Sequence, residues 1–423
     1  MSMVDVNSTP RAIDYTQQSN DPRYLVSAKI QLPGQLLEDV TVKEVIVGES
    51  LLNPSAHAVV TLQNAMYFRP TNWDAFRCQP IGIYIYDNNN IPNNPRTMTV
   101  NQQVYRCDDR HFSVTNTGNV EEVTLHSIDQ TILTDAEKIF SKSWKCATPA
   151  SVVNEAFQQI GATKAIFSDG GTGPGRPYVA ESIHPLQVIQ QQANVALYNG
   201  DDPSYLHYMT IDEKNGQNIH NFRALAELMK SDRTIHNLVA SDSAITGGNG
   251  MSDAYYGNSG LNKAISFKFP CDYDVLSDIL NGINCDGMNM NDVRTTNFAS
   301  GDFSSAMGAI STAANIFKTL TNKGTAQQQN TCETNVEKHL LKRQARMALL
   351  ERDKIALRIT IPWAPWIHVG HIVHFHWNNR YERSYEQYGS GKYLVLHLTH
   401  NIQYGGYAVT TLDCIANTFG SKK

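Results

Sequence analysis

The stretches IALRITIPWAPWIHVGHIVHFHW (355–377) and SGKYLVLHLTHNIQYGGYAVTTLDCIA (390–416) decide the fold class. In the first seven residues, isoleucine and leucine alternate with small or polar residues, which is the two-residue period of a strand with one apolar face. Prolines and Gly370 separate this run from a second one, and Gly405-Gly406 separates the last two runs. Four such runs with tight turns between them predict a small antiparallel sheet or barrel.

The order of short motifs in this region resembles that of a known family. PWAPWIHVGHIV (362–373) is followed by a polar loop, by SGKYLVLHLTHNI (390–402) and by YAVTTLDCIANT (407–418). This succession is similar to the C-terminal barrel of the baseplate hub proteins of contractile tails. The family includes the hubs of myophages and the N-terminal part of type VI secretion spike proteins. The resemblance covers roughly residues 22–285 and 351–418.

Length, composition and net charge limit the class of protein that this chain can belong to. A length of 423 residues predicts two to four domains, and 41% hydrophobic residues is enough for real cores. No run approaches eighteen apolar residues, and the polar N-terminus does not read as a secretory signal. The net charge of −5 argues against a protein that binds nucleic acid through bulk charge. The seven cysteines are scattered without metal-binding spacing, so we expect reduced thiols.

The N-terminal third reads as β structure. Residues 1–21 are predicted to be an extended or disordered arm. Residues 22–133 contain six short alternating runs separated by turn residues, which predicts a first antiparallel β-barrel or sandwich.

Helical periodicity begins near residue 134, and residues 134–240 are predicted to form an α/β domain. Thr148-Pro149 is an N-cap followed by a first-turn proline, and Gly161 ends that helix. A second helix is predicted from His184-Pro185, and a short one over 221–229. The glycine-rich loop 168–177 lacks the Walker lysine and does not lead directly into a helix, so nucleotide binding is not expected there.

The remainder is predicted to consist of three parts. Residues 241–262 are rich in glycine, serine and asparagine and read as a flexible loop. Residues 263–285 and 351–423 form the second barrel, which the helical insertion 286–350 interrupts. Within that insertion, the basic band that contains Arg343 reads as a solvated helix face, with contact to an acidic partner as the alternative.

The histidines of 368–376 are the residues most typical of an enzyme. His374 and His376 are two positions apart on one strand and are weak candidates for a metal site, with His397 or His400 as a third ligand. No hydrolase, Walker or Rossmann motif is present, so no catalytic residue is assigned and no cofactor is expected. A metal-dependent hydrolase that uses this strand is the alternative from another class.

The resemblance implies an α+β, mainly β protein with two small antiparallel, tail-tube-like β-barrels, an α/β domain and a helical insertion. It also implies a structural baseplate hub rather than an enzyme. The expected assembly is a homotrimer in the virion tail, formed in the host cytoplasm. Expected partners are the spike, the tail tube or tube initiator, the tape-measure protein and the wedge proteins, while the genome passes without specific binding. The hub of a bacterial contractile injection system is the alternative.

Overall fold

The structure is mainly β, as the alternating patterns predict. A computed structural model of the chain contains eighteen strands and four helices in its described residues. No helix of this part of the chain is long and apolar enough to span a membrane. The described residues are 2–5, 26–32, 41–63, 78–87, 96–115, 118–200, 202–230, 235–241, 262–270, 343, 347, 350, 355–378, 389–403 and 405–416.

The first β unit contains the six predicted strands, preceded by a short strand in the N-terminal arm. The sheet order is β1-β2-β5-β6-β7-β4-β3, and every pairing is antiparallel. Inward residues of all six long strands pack into one core, because alternate residues of a strand face the same side. The strands are β1 (Ser2–Asp5), β2 (Val26–Leu32), β3 (Thr41–Ser50), β4 (His57–Gln63), β5 (Pro80–Asp87), β6 (Thr97–Thr115) and β7 (Gly118–Ile128).

The α/β unit follows and has its own core. Thr148 accepts a hydrogen bond from the Ser151 N–H, Pro149 opens the helix and Gly161 ends it in the left-handed conformation, which confirms the predicted caps. The elements are α1 (Gln130–Glu137), β8 (Phe140–Ala147), α2 (Pro149–Ile160), β9 (Ala165–Phe167), β10 (Arg176–Ile183), α3 (Pro185–Val195), β11 (Tyr205–Ile211), β12 (Asn218–Ala224) and α4 (Leu225–Lys230).

The second β unit contains the four C-terminal runs. Gly405 and Gly406 both have positive φ and form the tight turn between the last two strands, as their position predicts. The unit also includes Ile235–Ser241, which pairs in parallel with the histidine-bearing strand rather than with the strands of the α/β unit. The strands are β13 (Ile235–Ser241), β14 (Ser266–Lys268), β15 (Leu357–Pro362), β16 (Ile372–Asn378), β17 (Gly391–Gln403) and β18 (Ala408–Ile415).

One pairing joins the two β units edge to edge. Strand β3 pairs antiparallel with β17 from Glu44↔Gln403 to Ser50↔His397, so the strands of the two β units form one continuous 13-stranded sheet. The two predicted small barrels are present in this part of the chain as two mainly antiparallel β units, and neither of them closes on itself by strand pairing there. The reason is that an exposed strand edge is satisfied as well by a neighbouring unit as by its own sheet.

Two local predictions are corrected. Residues 221–224 were predicted to be helical but belong to β12, where Phe222 stacks on Tyr205 with ring centroids 4.9 Å apart. Tertiary packing overrides the helical period here, and α4 starts only at Leu225. Cys146 is disulfide-bonded, which corrects the expectation of reduced thiols, whereas Cys78, Cys107 and Cys414 form no disulfide. Wide sequence spacing gave no sign that another cysteine approaches the exposed end of β8.

The helical insertion 286–350 lies outside the described residues except at three positions. One of them is Arg343, which is only 7% exposed, so the prediction of a solvated position is wrong. Its guanidinium donates to Asn194 Oδ1 at 3.0 Å and to the carbonyls of Pro203 and Tyr205 at 3.1 Å. Burial lowers its pKa to about 10. The predicted loop 241–262, apart from its two end residues, also lies outside the described residues.

Candidate functional site at the junction of the three units

Glu49 is a buried carboxylate at the point where all three units meet. It follows Val45 and Val47 on the inward face of β3, and its side chain is 0% exposed. One oxygen accepts from the Ile211 N–H of the α/β unit at 2.9 Å. The other accepts from the Val369 N–H of the second β unit at 3.3 Å. A single carboxylate therefore binds two other units to the first one.

His368 completes this junction with a second carboxylate. Its Nδ1 lies 3.1 Å from Glu49 Oε1, and its Nε2 lies 3.3 Å from Glu213 Oε2. Burial opposes the positive charge of His368, but the attraction of Glu49 and Glu213 outweighs it and raises the pKa to about 10. The hydrogen bond from His368, against the opposing effect of burial, lowers the pKa of Glu213 to about 2. At neutral pH, the charged imidazolium of His368 therefore lies between two carboxylates and holds the three units together.

The hairpin turn that carries Glu213 docks on the first β unit through its backbone. The Thr99 N–H donates to the Glu213 carbonyl at 3.0 Å, and the Asn101 N–H donates to the Gly216 carbonyl at 3.3 Å. Gly216 has φ +64°, and a Cβ there would lie 2.6 Å from Asn101 Nδ2. The turn therefore requires glycine. It bonds to the part of β6 that does not pair with β7.

A cleft of about 390 Å³ lies beside this junction, between the β11–β12 hairpin and the loop that precedes β16. Its walls carry both signs of charge, from Asp212, Glu213, Lys214 and Arg223. Arg223 is paired with Glu227 at 2.6 Å. The cleft therefore lies at the contact between the α/β unit and the second β unit.

A second buried ion pair joins the two β units. Asp87, at the inward end of β5, pairs with Arg96, and the two side chains are 2% and 1% exposed. The Arg96 guanidinium also donates to the Trp363 carbonyl at 3.0 Å and lies 5.9 Å from the centre of the Trp363 ring. Arg96 therefore links the β5–β6 connection to the loop between β15 and β16.

The outer face of the continuous sheet is polar. Threonine hydroxyls of β4 and β7, Thr61 and Thr124, lie 3.4 Å apart on it, and Asn401 donates across the seam between the β units to Glu44 at 2.9 Å. This face alternates with the inward core face along every strand. Its residues include Gln31, Tyr84, Thr99, Thr124, Thr61, Glu44, Asn401, Thr411 and Arg358.

Proteins with a similar fold are found among solved structures. No family model and no curated protein sequence matches the chain. Among solved structures, a tail protein from Neisseria meningitidis MC58 matches with a TM-score of 0.50 at 10% sequence identity, over 94% of this chain and 98% of that one. The fold is similar to that of a tail protein. The expected similarity to tail proteins is thus confirmed at the level of the fold.

Two further solved structures are similar to the chain with lower TM-scores. The 43 kDa tail protein of prophage MuSo2 from Shewanella oneidensis has a TM-score of 0.46 and 10% identity, over 93% of this chain and 98% of that one. The E. coli c3393 protein is described as a type VI secretion component similar to T4 tail proteins gp27 and gp5. It has a TM-score of 0.47 and 10% identity, over 93% of this chain and 79% of that one.

The histidines singled out from the sequence fall at two different places in this tail-protein fold. His374 and His376 lie together on β16 with ring centroids 3.9 Å apart, away from the junction. His400, one proposed third ligand, is bonded through Nδ1 to Thr410 at 2.9 Å. The described residues contain no group of three or more histidine, cysteine, aspartate or glutamate side chains that could hold a metal ion.

We predict that the purified chain carries no stoichiometric zinc, because two adjacent histidines on one strand leave a zinc ion short of ligands. Elemental analysis of the wild type and of the double variant His374→Ala, His376→Ala tests this. A zinc content near one per chain that disappears in the double variant would contradict the prediction.

Sequence reasoning missed Glu49, Glu213, Asp87 and Arg96. A signal existed for two of them. Glu49 continues the inward series after Val45 and Val47, and Asp87 continues the inward series of β5. A carboxylate at an inward strand position is costly to bury without a partner, so its presence predicts a buried pair. The partners themselves are distant in sequence and could not be found by spacing.

Proposed function

We propose that this chain is the baseplate hub of a contractile phage tail, a homotrimeric adapter that joins the six-fold tail tube to the three-fold spike around a central channel. The observation that carries the proposal is the match of the fold to a tail protein over 94% of this chain and 98% of the other. The partners proposed are the spike protein and the tail tube or tube initiator. Tape-measure and wedge proteins are further partners, and the proposed location is the virion baseplate.

The arrangement of the β units supports an adapter. The two units lie side by side in one sheet through the β3–β17 pairing, so one chain offers two neighbouring β surfaces. Three copies around a three-fold axis then present six such surfaces. This arrangement answers a geometric problem, because closed six-fold and three-fold rings cannot otherwise make matching contacts.

The polar outer face of the sheet suits the wall of a channel. Its charges are compensated locally, as when Lys43 pairs with Glu122 at 2.7 Å, or bound by amides, as Glu44 is by Asn401. Such a wall offers passing cargo mostly polar groups whose charges are compensated nearby. We propose that one face of each β unit lines the channel, that DNA passes without specific binding, and that the chain has no enzymatic activity.

The assembly is tested by the mass of the purified chain in solution. We predict a species of three times the 47.1 kDa chain mass by multi-angle light scattering at micromolar concentration. An obligate interface of this kind buries roughly 2,000–5,000 Å², so the species should persist on dilution. A monomer at micromolar concentration, with no partner present, would contradict the trimer.

A further inference from the structure

We propose that Arg343 is a binding site for a carboxylate that another protein chain supplies, either a second copy of this chain or a different protein. The inference stands on the contacts of Arg343 and does not depend on the proposed tail function. The site lies on the α/β unit, where the guanidinium meets α3 and the start of β11.

The groups that hold the guanidinium of Arg343 are all neutral. Its Nε donates to the side-chain oxygen of Asn194 at 3.0 Å, and its Nη1 donates to the backbone carbonyls of Pro203 and Tyr205, each at 3.1 Å. A guanidinium carries five N–H groups, and these bonds use three of them. The two N–H groups on Nη2 therefore have no hydrogen-bond partner in the described part of the chain.

The Nη2 edge of the guanidinium reaches the protein surface. Arg343 is 7% exposed, and its Nη2 is not one of the buried side-chain atoms that lack a partner among the described residues. Asn194, which binds the neighbouring Nε, is an exposed residue of α3. A group from another molecule can therefore approach Nη2, while the rest of the side chain is enclosed.

The charge of Arg343 is not compensated within the described part of the chain. Burial lowers its pKa to about 10, so the guanidinium is charged at neutral pH, and no carboxylate there pairs with it. A buried cation without a carboxylate is unfavourable, because neutral acceptors replace only part of its hydration. Other arginines do have such partners, in the pairs Arg96–Asp87, Arg223–Glu227 and Arg358–Asp413.

The guanidinium is also held in place before any ligand binds. Arg343, Met347 and Leu350 are spaced by four and three residues, as on one face of a helix, and Leu350 is buried in the core of the second β unit. An arginine that is fixed in this way loses little side-chain freedom when it binds an anion. A carboxylate suits the free edge, since its oxygens accept charge-assisted hydrogen bonds from a guanidinium.

Nitrogen-15 NMR of the arginine side chains in the full chain tests the site, with sodium acetate as the probe. The Nε signal of Arg343 is assigned by its loss in Arg343→Gln. If a different protein supplies the carboxylate, the site is open in the purified chain, and we expect this signal to move with a Kd of about 10–100 mM. Sodium chloride at the same concentration should move it less, as should acetate the signal of Arg358, which already pairs with Asp413.

Light scattering on dilution tests the other source, a second copy of the chain. In that case acetate leaves the Arg343 signal in place, because the site is filled, and Arg343→Gln weakens the oligomer. We expect the concentration at which the oligomer dissociates to rise about tenfold to a hundredfold in this variant. Asn194→Ala removes a neutral acceptor but keeps the charge, so its oligomer should dissociate within about threefold of the wild-type concentration.

Two results would overturn the proposal. The first is an Arg343 signal that acetate does not move, together with an Arg343→Gln oligomer that dissociates as the wild type does, since neither source then supplies a carboxylate. The second is an equal weakening of the oligomer in Asn194→Ala and Arg343→Gln, because the cause would then be local packing and not the charge. Circular dichroism confirms that the variants are folded, and Arg343→Lys, which lacks the Nη2 edge, replaces Arg343→Gln if the latter is not.

Discussion

Replacement of Glu49 by alanine is expected to lower the free energy of unfolding by about 3–5 kcal/mol, because it leaves His368 as a buried charge with only one partner. The variant also removes the acceptor of the Ile211 and Val369 N–H groups, which belong to buried residues. Thermal and urea unfolding followed by circular dichroism measure the change. We expect the α/β unit to unfold at a lower temperature than the sheet.

Two controls identify the charge as the cause. Glu49→Gln keeps an acceptor but not the charge, so its loss should be intermediate. Glu155→Gln removes a carboxylate from a pair with Lys142 whose side chains are 49% and 37% exposed, and it should change stability by less than about 1 kcal/mol. A Glu49→Ala variant no less stable than Glu155→Gln would contradict the role of the junction.

The wild type should also show the linkage at alkaline pH. The pKa of His368 is raised above its ordinary value to about 10, so its contribution is complete below about pH 6.5 and is lost as the pH rises towards 10. This alkaline loss should be smaller in Glu49→Ala, where Glu213 alone remains beside His368.

Replacement of Asp87 by alanine is the second change with a large expected effect, about 3–5 kcal/mol. It removes the Asp87 carboxylate from the Arg96 guanidinium, which is 1% exposed, and loosens the contact with Trp363. The same unfolding measurements apply, and tryptophan fluorescence reports on the environment of Trp363. Asp108→Ala is the matched control, since Asp108 pairs with Arg106 on the surface, where the side chains are 26% and 62% exposed. Equal losses in Asp87→Ala and Asp108→Ala would show that the buried pair does not join the β units.

Local patterns were sufficient for most strands of the two β units and for two of the helices. The period of two identified β2 to β7 and β15 to β18, because one face of each strand carries an apolar series that packs into a core. The caps of α2 could be read directly, since Thr148, Pro149 and Gly161 act through their own backbone geometry. In β3, hydrophobic residues occur at both parities, and a register shift between Val42 and Glu44 resolves this by placing Val42, Val45 and Val47 inward.

Relations between distant segments were not accessible from a single sequence. The β3–β17 pairing joins residues about 350 positions apart, and the sequence of neither strand indicates which strand it pairs with. Arg343 looked like a surface residue because its helix carries several charges, yet it lies against carbonyls of the α/β unit. The junction was likewise hidden, since Glu49, Glu213 and His368 come from three separate units.

The central claim is that three copies of this chain form a ring in which six β units surround a channel. A cryo-electron microscopy reconstruction of the purified oligomer, computed without imposed symmetry, tests it most directly. The account predicts three-fold symmetry, with both β units of each chain at the same distance from the axis, superposable on one another, and with the polar face of the sheet lining an open channel. A monomeric particle, or a ring in which the two β units lie at different radii, would contradict the account.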